Sequence, residues 1–415
     1  MEFIEHGEFK SLRNVYREFV GTITNSYKRN AWEFQYLLLM GFDEVTFLCE
    51  FLERYLKHNS IPYTFRHMDG CTEEALPSFS VYRRQEKTAS IGLFHIYPDT
   101  ERELFIYFFV MAEYTNVNYA FVACRSVDDY NNLVKEIKIF FRQWMVSEKL
   151  ALALPFSRPF ELFKIEKVTW DDVILPPALY RSIRLSIENF FRGEGFYKKH
   201  GLPFRRGVLL AGPPGNGKTM LCKAIANEMD LPFILFELRK TDRERDLKDA
   251  FMIAEEMAPS ILCFEDLDSL DDTFISLSSL LNQIDGMNTT EGVLILATTN
   301  KPEQIDPALS NRPSRFDSVF RIEKPDEDCR RRMLRRHFGD LMDEQLLEEM
   351  VRKTRGFSMA YLKELYILSV LQAIQTNSET PTVEDIYSAL DTLKRQIRYA
   401  NKPVEEENFM GFDMW

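Results

Sequence analysis

The segment Gly212-Pro213-Pro214-Gly215-Asn216-Gly217-Lys218-Thr219 constrains this chain more than any other. It fits G-x-x-x-x-G-K-[S/T] and stands between an apolar run at 208–211 and a helix-forming run at 218–229. Glycines let the backbone curl until successive amides point inward as an anion nest. The positive end of the following helix faces the same spot. Lys218 can then neutralise β- and γ-phosphates, and the Thr219 hydroxyl can ligate Mg²⁺. Met220 carries the cradle into the helix. A chance glycine turn would not require both flanks, so the segment reads as a nucleotide site.

The surrounding pattern agrees. Apolar runs at 208–211, 233–238, 261–264, 293–298 and 318–322 are predicted strands, with helices over 218–229, 248–258 and 275–284 between them. Short apolar strands separated by helices predict an α/β domain with a parallel five-stranded sheet, covered on both faces. After Pro325 only helical patterns remain, over 326–400, before an acidic, aromatic tail with Phe409, Phe412 and Trp415. That tail could dock on a neighbour or be a loose terminus.

Three further features lie at the ends of these strands. Glu265-Asp266 closes the third, where one carboxylate can hold a metal through water and the next can orient an attacking water. The common order is Asp then Glu, so Glu265 takes the metal side and the shorter Asp266 the base position. Simple helix capping by these acids is the alternative. Asn300, ending Ala297-Thr298-Thr299-Asn300, offers an uncharged amide to the γ-phosphate or water, although Asn also forms turns. Arg312 and Arg315 could reach a neighbouring subunit's γ-phosphate or simply face solvent.

Upstream of a composition shift near 151–170, marked by Pro155 and Pro159, the chain predicts a separate α+β domain over 1–155. A helix over 30–57, with Gly41 as a break, is followed by strands at 90–97, 104–111 and 117–124. Ser126 and Asp129 then resemble a capping pair. Tyr130, Leu133, Val134, Ile137, Phe140, Phe141 and Trp144 repeat at helical spacing, a stripe that reads as core. The other expected segments are a nucleotide domain over 156–325, a helical lid over 326–400 and the tail over 401–415.

Composition excludes several functions. A net charge of −12 over 415 residues argues against a general nucleic-acid or anionic-membrane binder. The most apolar run, 104–112, is about half the ~20 residues a membrane helix needs. Met1 to His6 lack the basic start and long apolar core of a secretory signal. Cys49, Cys71, Cys124, Cys222, Cys263 and Cys329 form no close pair, and the six histidines show no metal-ligand spacing. Reduced thiols and a cytoplasmic location are expected.

In order and spacing, the P-loop, Glu265-Asp266, 297–300, Arg312/Arg315 and Gly356-Phe357-Ser358 resemble the AAA ATPases over roughly 167–400. Trp170-Asp171-Asp172-Val173 is similar to the family's segment beside adenine, which would place Asp172 and Val173 near the base. The resemblance implies a five-stranded nucleotide domain with a helical lid, use of ATP and Mg²⁺, and a homo-oligomeric ring, usually a hexamer. It implies that Asn300 senses the γ-phosphate, and that Arg312 and Arg315 act across the subunit boundary. Residues 239–246 carry no aromatic where many family motors grip a threaded polypeptide, so that mode of threading is not expected. Met359 replaces the small residue usual after Gly-Phe-Ser.

The short loop, the Glu-Asp order and the run from Ser279 to Gly286 are similar to one subgroup, which includes the mitochondrial translocases of folded Rieske iron–sulfur protein. Lacking their N-terminal membrane helix, the chain looks most like a soluble bacterial form of it. An ATP-hydrolysing, substrate-selective chaperone or remodeller is expected, with a protein client that is folded, partly folded or an iron–sulfur protein. Two alternatives stand beside it. One is a nucleotide-gated scaffold with negligible turnover, favoured by Asp266 at the base position. The other is a nucleic-acid remodeller, whose local support is Arg330-Arg331-Arg332 with Arg335-Arg336, a cluster that otherwise reads as a solvated face.

Overall fold

The computed structural model describes residues 2–5, 8–40, 42–66, 92–113, 115–154, 161–238, 240, 242–286, 292–301, 316–375 and 377–400. Pro155, Pro159, Arg312, Arg315 and the tail 401–415 lie outside them.

The first part of the chain is built in layers. β1 (Glu2–Glu5) and β2 (Glu8–Ser11) form an antiparallel pair ahead of α1 (Leu12–Ser26). β3 (Gln35–Met40), α2 (Phe42–His58), β4 (Tyr63–Arg66), β5 (Gly92–Ile96), β6 (Leu104–Glu113), β7 (Thr115–Cys124) and α3 (Val127–Glu148) follow. The strands make an antiparallel sheet in the order β3-β7-β6-β5-β4. Alternation decides its two faces. Phe105, Tyr107, Phe109 and Phe121 pack on Phe19 and Ile23 of α1. Ile106, Phe108 and Val122 face α2 and α3. The capping box at Ser126 is present: Ser126 N donates to Asp129 Oδ2 at 3.1 Å and Asp128 N to Ser126 Oγ at 3.2 Å. The stripe on α3 is buried as expected, with Phe140 and Trp144 partly covered.

The helix expected over 30–57 is corrected in its first half. Residues 35–40 are strand β3, paired with β7 from Gln35↔Cys124 to Met40↔Tyr119. A helix and a strand share short apolar runs such as Leu37-Leu38-Leu39, and only the distant partner decides between them.

The second part centres on one sheet. It uses β8 (Leu150–Ala153), β9 (Glu161–Lys164), β10 (Arg205–Ala211), β11 (Phe233–Glu237), β12 (Ser260–Glu265), β13 (Val293–Thr299) and β14 (Ser318–Arg321). Their order is β14-β10-β13-β12-β11-β8-β9. The five expected strands are there and parallel, but the sheet is a mixed one of seven. β8 adds a sixth parallel strand beside β11, and β9 pairs antiparallel with β8. Four residues, Leu150-Ala151-Leu152-Ala153, are too short to announce a strand alone; their partner Phe233-Ile234-Leu235 supplies the ladder. Thus a strand from the segment assigned to the first domain is part of the nucleotide-domain sheet.

α4 (Pro177–Arg192), α5 (Glu194–Lys199) and α6 (Lys218–Glu228) belong with one face, where Ile183, Ile187 and Phe190 join Leu221, Cys222 and Cys263. α7 (Glu244–Glu256) and α8 (Leu277–Gly286) cover the other. The core of that second face runs without a break into α2 and α3. Arg142 of α3 spans the junction, donating to the carbonyls of Ala258 at 2.9 Å and Pro259 at 3.2 Å. α9 (Glu327–Phe338), α10 (Glu344–Lys353), α11 (Met359–Gln375) and α12 (Val383–Ala400) form the helical end, with a core of Leu334, Leu347, Leu362 and Leu390. No described helix is long and apolar enough to cross a membrane.

Candidate nucleotide site

The P-loop leaves β10 and enters α6. Gly212 (φ +148°), Gly215 (φ +76°) and Gly217 (φ +91°) all have positive φ, a region costly to L side chains. At Gly212 a Cβ would also meet the Ile322 carbonyl oxygen at 2.1 Å, so the strand pairing itself demands glycine. Pro213 and Pro214 present carbonyls to Asn216, whose Nδ2 donates to them at 3.0 and 3.4 Å. Thr219 and Met220 lie in the first turn of α6, with Met220 exposed.

Lys218 is buried and points back into the loop. Its Nζ donates to Gly212 O at 2.7 Å, Pro213 O at 3.1 Å and Asn300 Oδ1 at 2.7 Å. Burial lowers its pKa, opposed by the charges of Asp266 and Asp268. Asn300 Nδ2 donates to Asp266 Oδ1 and Asp268 Oδ2, each at 3.2 Å, and Asn300 N to Asp268 Oδ1 at 2.8 Å. A polar relay therefore runs from Lys218 through Asn300 to two carboxylates. It assembles at the ends of neighbouring parallel strands β10, β13 and β12, where such sheets place their ligands.

Glu265 ends β12, and burial followed by the charge of Asp266 raises its pKa. Asp266 sits at φ +54°, a left-handed conformation unusual for a non-glycine residue, with its N–H donated to Thr298 Oγ1 at 2.9 Å. Thr298 is fully buried, so the strained residue is held by a rigid strand. For Asp268, burial works to raise the pKa; hydrogen bonds from Asn300 and Thr299 outweigh it and hold the carboxyl low. Asp268 joins the site although its position in the sequence assigns it no role. Its one signal was the third acid in Glu265-Asp266-Leu267-Asp268.

Beside the P-loop lies a cavity with an apolar wall and a charged one, the latter from Arg321, Glu323, Lys324 and Asp326. Ile174, Leu175, Pro176, Leu179 and Met359 line this cavity of about 240 Å³, which also touches Asn216. Val173 is buried just before this wall, and the Asp172 carboxylate caps its own turn, accepting from Thr169 N at 2.9 Å and Thr169 Oγ1 at 3.0 Å. Ile174 and Leu175 line the cavity, whereas Asp172 and Val173 do not.

The helical end is fastened to this pocket. Met359 N donates to Asn216 Oδ1 at 3.4 Å and Ala360 N to Gly215 O at 2.9 Å, so the P-loop caps the first turn of α11. Arg336 donates to the carbonyls of Asp171 and Asp172, and Arg332 to Leu175 O at 3.1 Å. Arg330 is buried against Val351 O and Pro325 O, while Arg331 holds Glu348 at 2.6 Å and Arg335 pairs with Glu344. Each of the five arginines thus has a partner within the fold, while Arg332, Arg335 and Arg336 remain exposed, as a solvated face would be. Elsewhere Phe274 is 72% exposed, and its N–H donates to Asp242 O at 3.1 Å beside the loop that follows β11.

Residues 208–324 match the family described as "ATPase family associated with various cellular activities (AAA)". The chain is 33% identical over 264 residues to the ATP-dependent zinc metalloprotease FtsH of Rhodothermus marinus, covering 58% of this chain and 37% of that protein. It is 34% identical over 248 residues to the FtsH of Aquifex aeolicus, covering 55% and 39%. With the proteasome-activating nucleotidase of Methanopyrus kandleri it shares 31% over 244 residues, 54% of this chain and 56% of that one. The chain thus spans less than two thirds of the length of each of these relatives. Glycine geometry, the relay at the strand ends and these matches converge on one assignment: the chain carries an AAA ATPase domain.

Proposed function

We propose that this chain is an ATP-hydrolysing AAA protein that assembles into a homo-oligomeric ring, a hexamer, and remodels or chaperones a protein client in the cytoplasm. The observation that carries the hydrolytic reading is the relay Lys218–Asn300–Asp266/Asp268, because it joins the phosphate-binding cation to the candidate base through a side chain of fixed orientation. The Gly212–Met220 cradle receives the phosphates and Lys218 neutralises them. Asp266 accepts the proton of the attacking water, and Asn300 orients that water and the γ-phosphate. Thr219 and, through water, Glu265 are hard oxygen donors suited to Mg²⁺. The ion supplies charge neutralisation at the β- and γ-phosphates when bound. Arg312 and Arg315 act on the γ-phosphate of the adjacent subunit.

The client reading rests on position and charge. The first domain shares a core with the nucleotide domain, so ring movements are passed to it. Exposed Phe274 gives a client an apolar contact beside a loop that lacks an aromatic. The residues 239–246, the Glu265-Asp266 order and Ser279 to Gly286 support membership of the subgroup that handles folded proteins, with an iron–sulfur protein as one candidate client. The partners that the arginine cluster has within the fold weigh against nucleic-acid remodelling.

Measuring ATP hydrolysis per subunit against protein concentration tests this, with Arg315→Ala alongside. Specific activity should rise with concentration and vanish in the variant, while each subunit still binds nucleotide. Tight ATP binding with Mg²⁺ and no turnover at any concentration would replace the reading with a nucleotide-gated scaffold. The short Asp266 would then be its cause.

A further inference from the structure

Directly behind the phosphate site lie two thiols that ATP hydrolysis does not use. Cys222 is on α6, three residues after Thr219 and on the same helical face; Cys263 is on β12, two residues before Glu265 and on the same strand face. Both are free and buried. The two sulfurs and a Glu265 carboxylate oxygen all lie within 4.8 Å of one another. They come from elements held by the sheet core, so their convergence is built into the packing of α6 on β12.

We propose that Cys222, Cys263 and Glu265 form a site for a thiophilic divalent cation of the zinc class, mutually exclusive with magnesium at the nucleotide. The spacing admits such an ion. Two thiolates on a tetrahedral zinc, each about 2.3 Å from it, stand about 3.8 Å apart, within the spread found here. Two sulfurs and one carboxylate form a soft, borderline donor set that selects zinc or cadmium over magnesium. Three protein ligands leave a fourth position for water or a phosphate oxygen, the arrangement of an open site. Binding releases one proton from each thiol, since the thiolate is the ligand. Glu265 is shared: drawn towards the sulfurs, its carboxylate is withdrawn from the magnesium side. This consequence for turnover rests on the proposed role of Glu265, whereas the site itself does not.

Cadmium is the probe. Titrating the full-length chain with Cd²⁺ should raise the ultraviolet thiolate-to-cadmium charge-transfer band to one site per subunit. Cys222→Ala and Cys263→Ala should each abolish that component, and Glu265→Gln should weaken binding at least tenfold without touching the thiols. Circular dichroism establishes that each variant is folded. The glutamine variant, which removes no core volume, keeps the test open if an alanine variant is not. ATP turnover of the wild type should fall on adding Cd²⁺ or Zn²⁺ and recover with chelator, while the two alanine variants stay active and insensitive. A band of unchanged size in both cysteine variants overturns the site. Cadmium that binds through both cysteines yet leaves turnover unaltered overturns the exclusivity, and with it Glu265 as the metal-side residue.

Discussion

Asn300 is the point at which the proposed chemistry is most exposed to test, because an isosteric change there should do more harm than a truncation. Asn300→Ala removes one bond accepted from Lys218 at 2.7 Å and two donated to Asp266 and Asp268 at 3.2 Å. Bonds to charged partners contribute about 1.5 kcal/mol or more each, and water entering the half-exposed site offsets part of the loss. A preorganised hydrogen-bonding group of this kind is worth on the order of 10²–10³ in turnover. Asn300→Asp keeps the shape and the acceptor for Lys218 but sets a third carboxylate against two. At an effective dielectric near 20, each repulsion at 3.2 Å costs about 5 kcal/mol. The attraction to Lys218 at 2.7 Å returns about 6 kcal/mol. The net penalty of about 4 kcal/mol corresponds to roughly three pKa units, so one carboxyl of the cluster should titrate near neutrality. Turnover at saturating ATP is the assay, with nucleotide affinity measured separately. Asn300→Asp should approach Asn300→Ala at pH 6, where the shared proton relieves the repulsion, and should fall below it as pH rises through 8, when that proton leaves. If the two variants are equal across that range, or if Asn300→Ala loses less than threefold, the relay plays no part in hydrolysis.

Two other predictions concern the first domain. Arg142→Ala leaves the carbonyls of Ala258 and Pro259 without their guanidinium donor, at a cost of about 2–3 kcal/mol. Hydrogen exchange should quicken in α3 and at the end of α7, whereas unchanged exchange and unfolding midpoint would mean the junction is held by the apolar core alone. His95 is buried, and burial lowers its pKa below 6.5 despite Glu103 at 2.8 Å; Tyr97, Tyr27 and Arg29 also face it or its partner. Burial alone would raise the Glu103 carboxyl, but hydrogen bonds from His95 and Arg29 prevail and hold it low. Both shifts have the same sign: the unfolded chain binds more protons. Stability is therefore complete above about pH 6.5 and is lost as pH falls, with Glu103 adding to the loss below about 4.5. Urea midpoints at pH 5.5 and 7.5 should differ in the wild type and differ less in His95→Gln. Equal slopes would remove His95 from the account.

How far the sequence could be read follows from how local each signal is. Gly212, Gly215 and Gly217 carry their own reason, because positive φ is a property of single residues. β10, β12 and β13 were legible because burial on both faces makes parallel strands continuously apolar, whereas the edge strand β14 alternates and was carried by its short apolar run. β8 was not legible: Leu150–Ala153 becomes a strand only when β11 is beside it. β3 hid inside a helical pattern for the same reason. At the site, Lys218 could be named from the P-loop motif and Glu265, Asp266 and Asn300 from strand-end positions, but the bonds joining them depend on the ordering β10-β13-β12, which no local run displays. The partners of the arginine cluster were not legible, because those of Arg332 and Arg336 are carbonyls, Leu175 O and Asp172 O, far away in the chain. Backbone acceptors carry no mark in a sequence.

Those backbone partners also say how a change at the phosphate would travel. The P-loop is not merely near the helical end; it supplies two of the acceptors that cap α11, Gly215 O and Asn216 Oδ1. A Cβ at Gly215 would stand 3.0 Å from Ala360 Cβ and 3.1 Å from Ser358 Oγ, so loop and helix are in van der Waals register as well. Close-packed contacts of this kind resist continuous deformation and shift between discrete arrangements. If phosphate binding moves Gly215, α11 must either follow or lose its caps. α9 is tied through Arg332 and Arg336 to residues 171–175, so the wall of the cavity beside the P-loop moves with it. Opening of the helical end and opening of that cavity are then one event. In the proposed ring, a change at the phosphate would reach the helical end through Gly215 and Asn216, with no need of an aromatic loop.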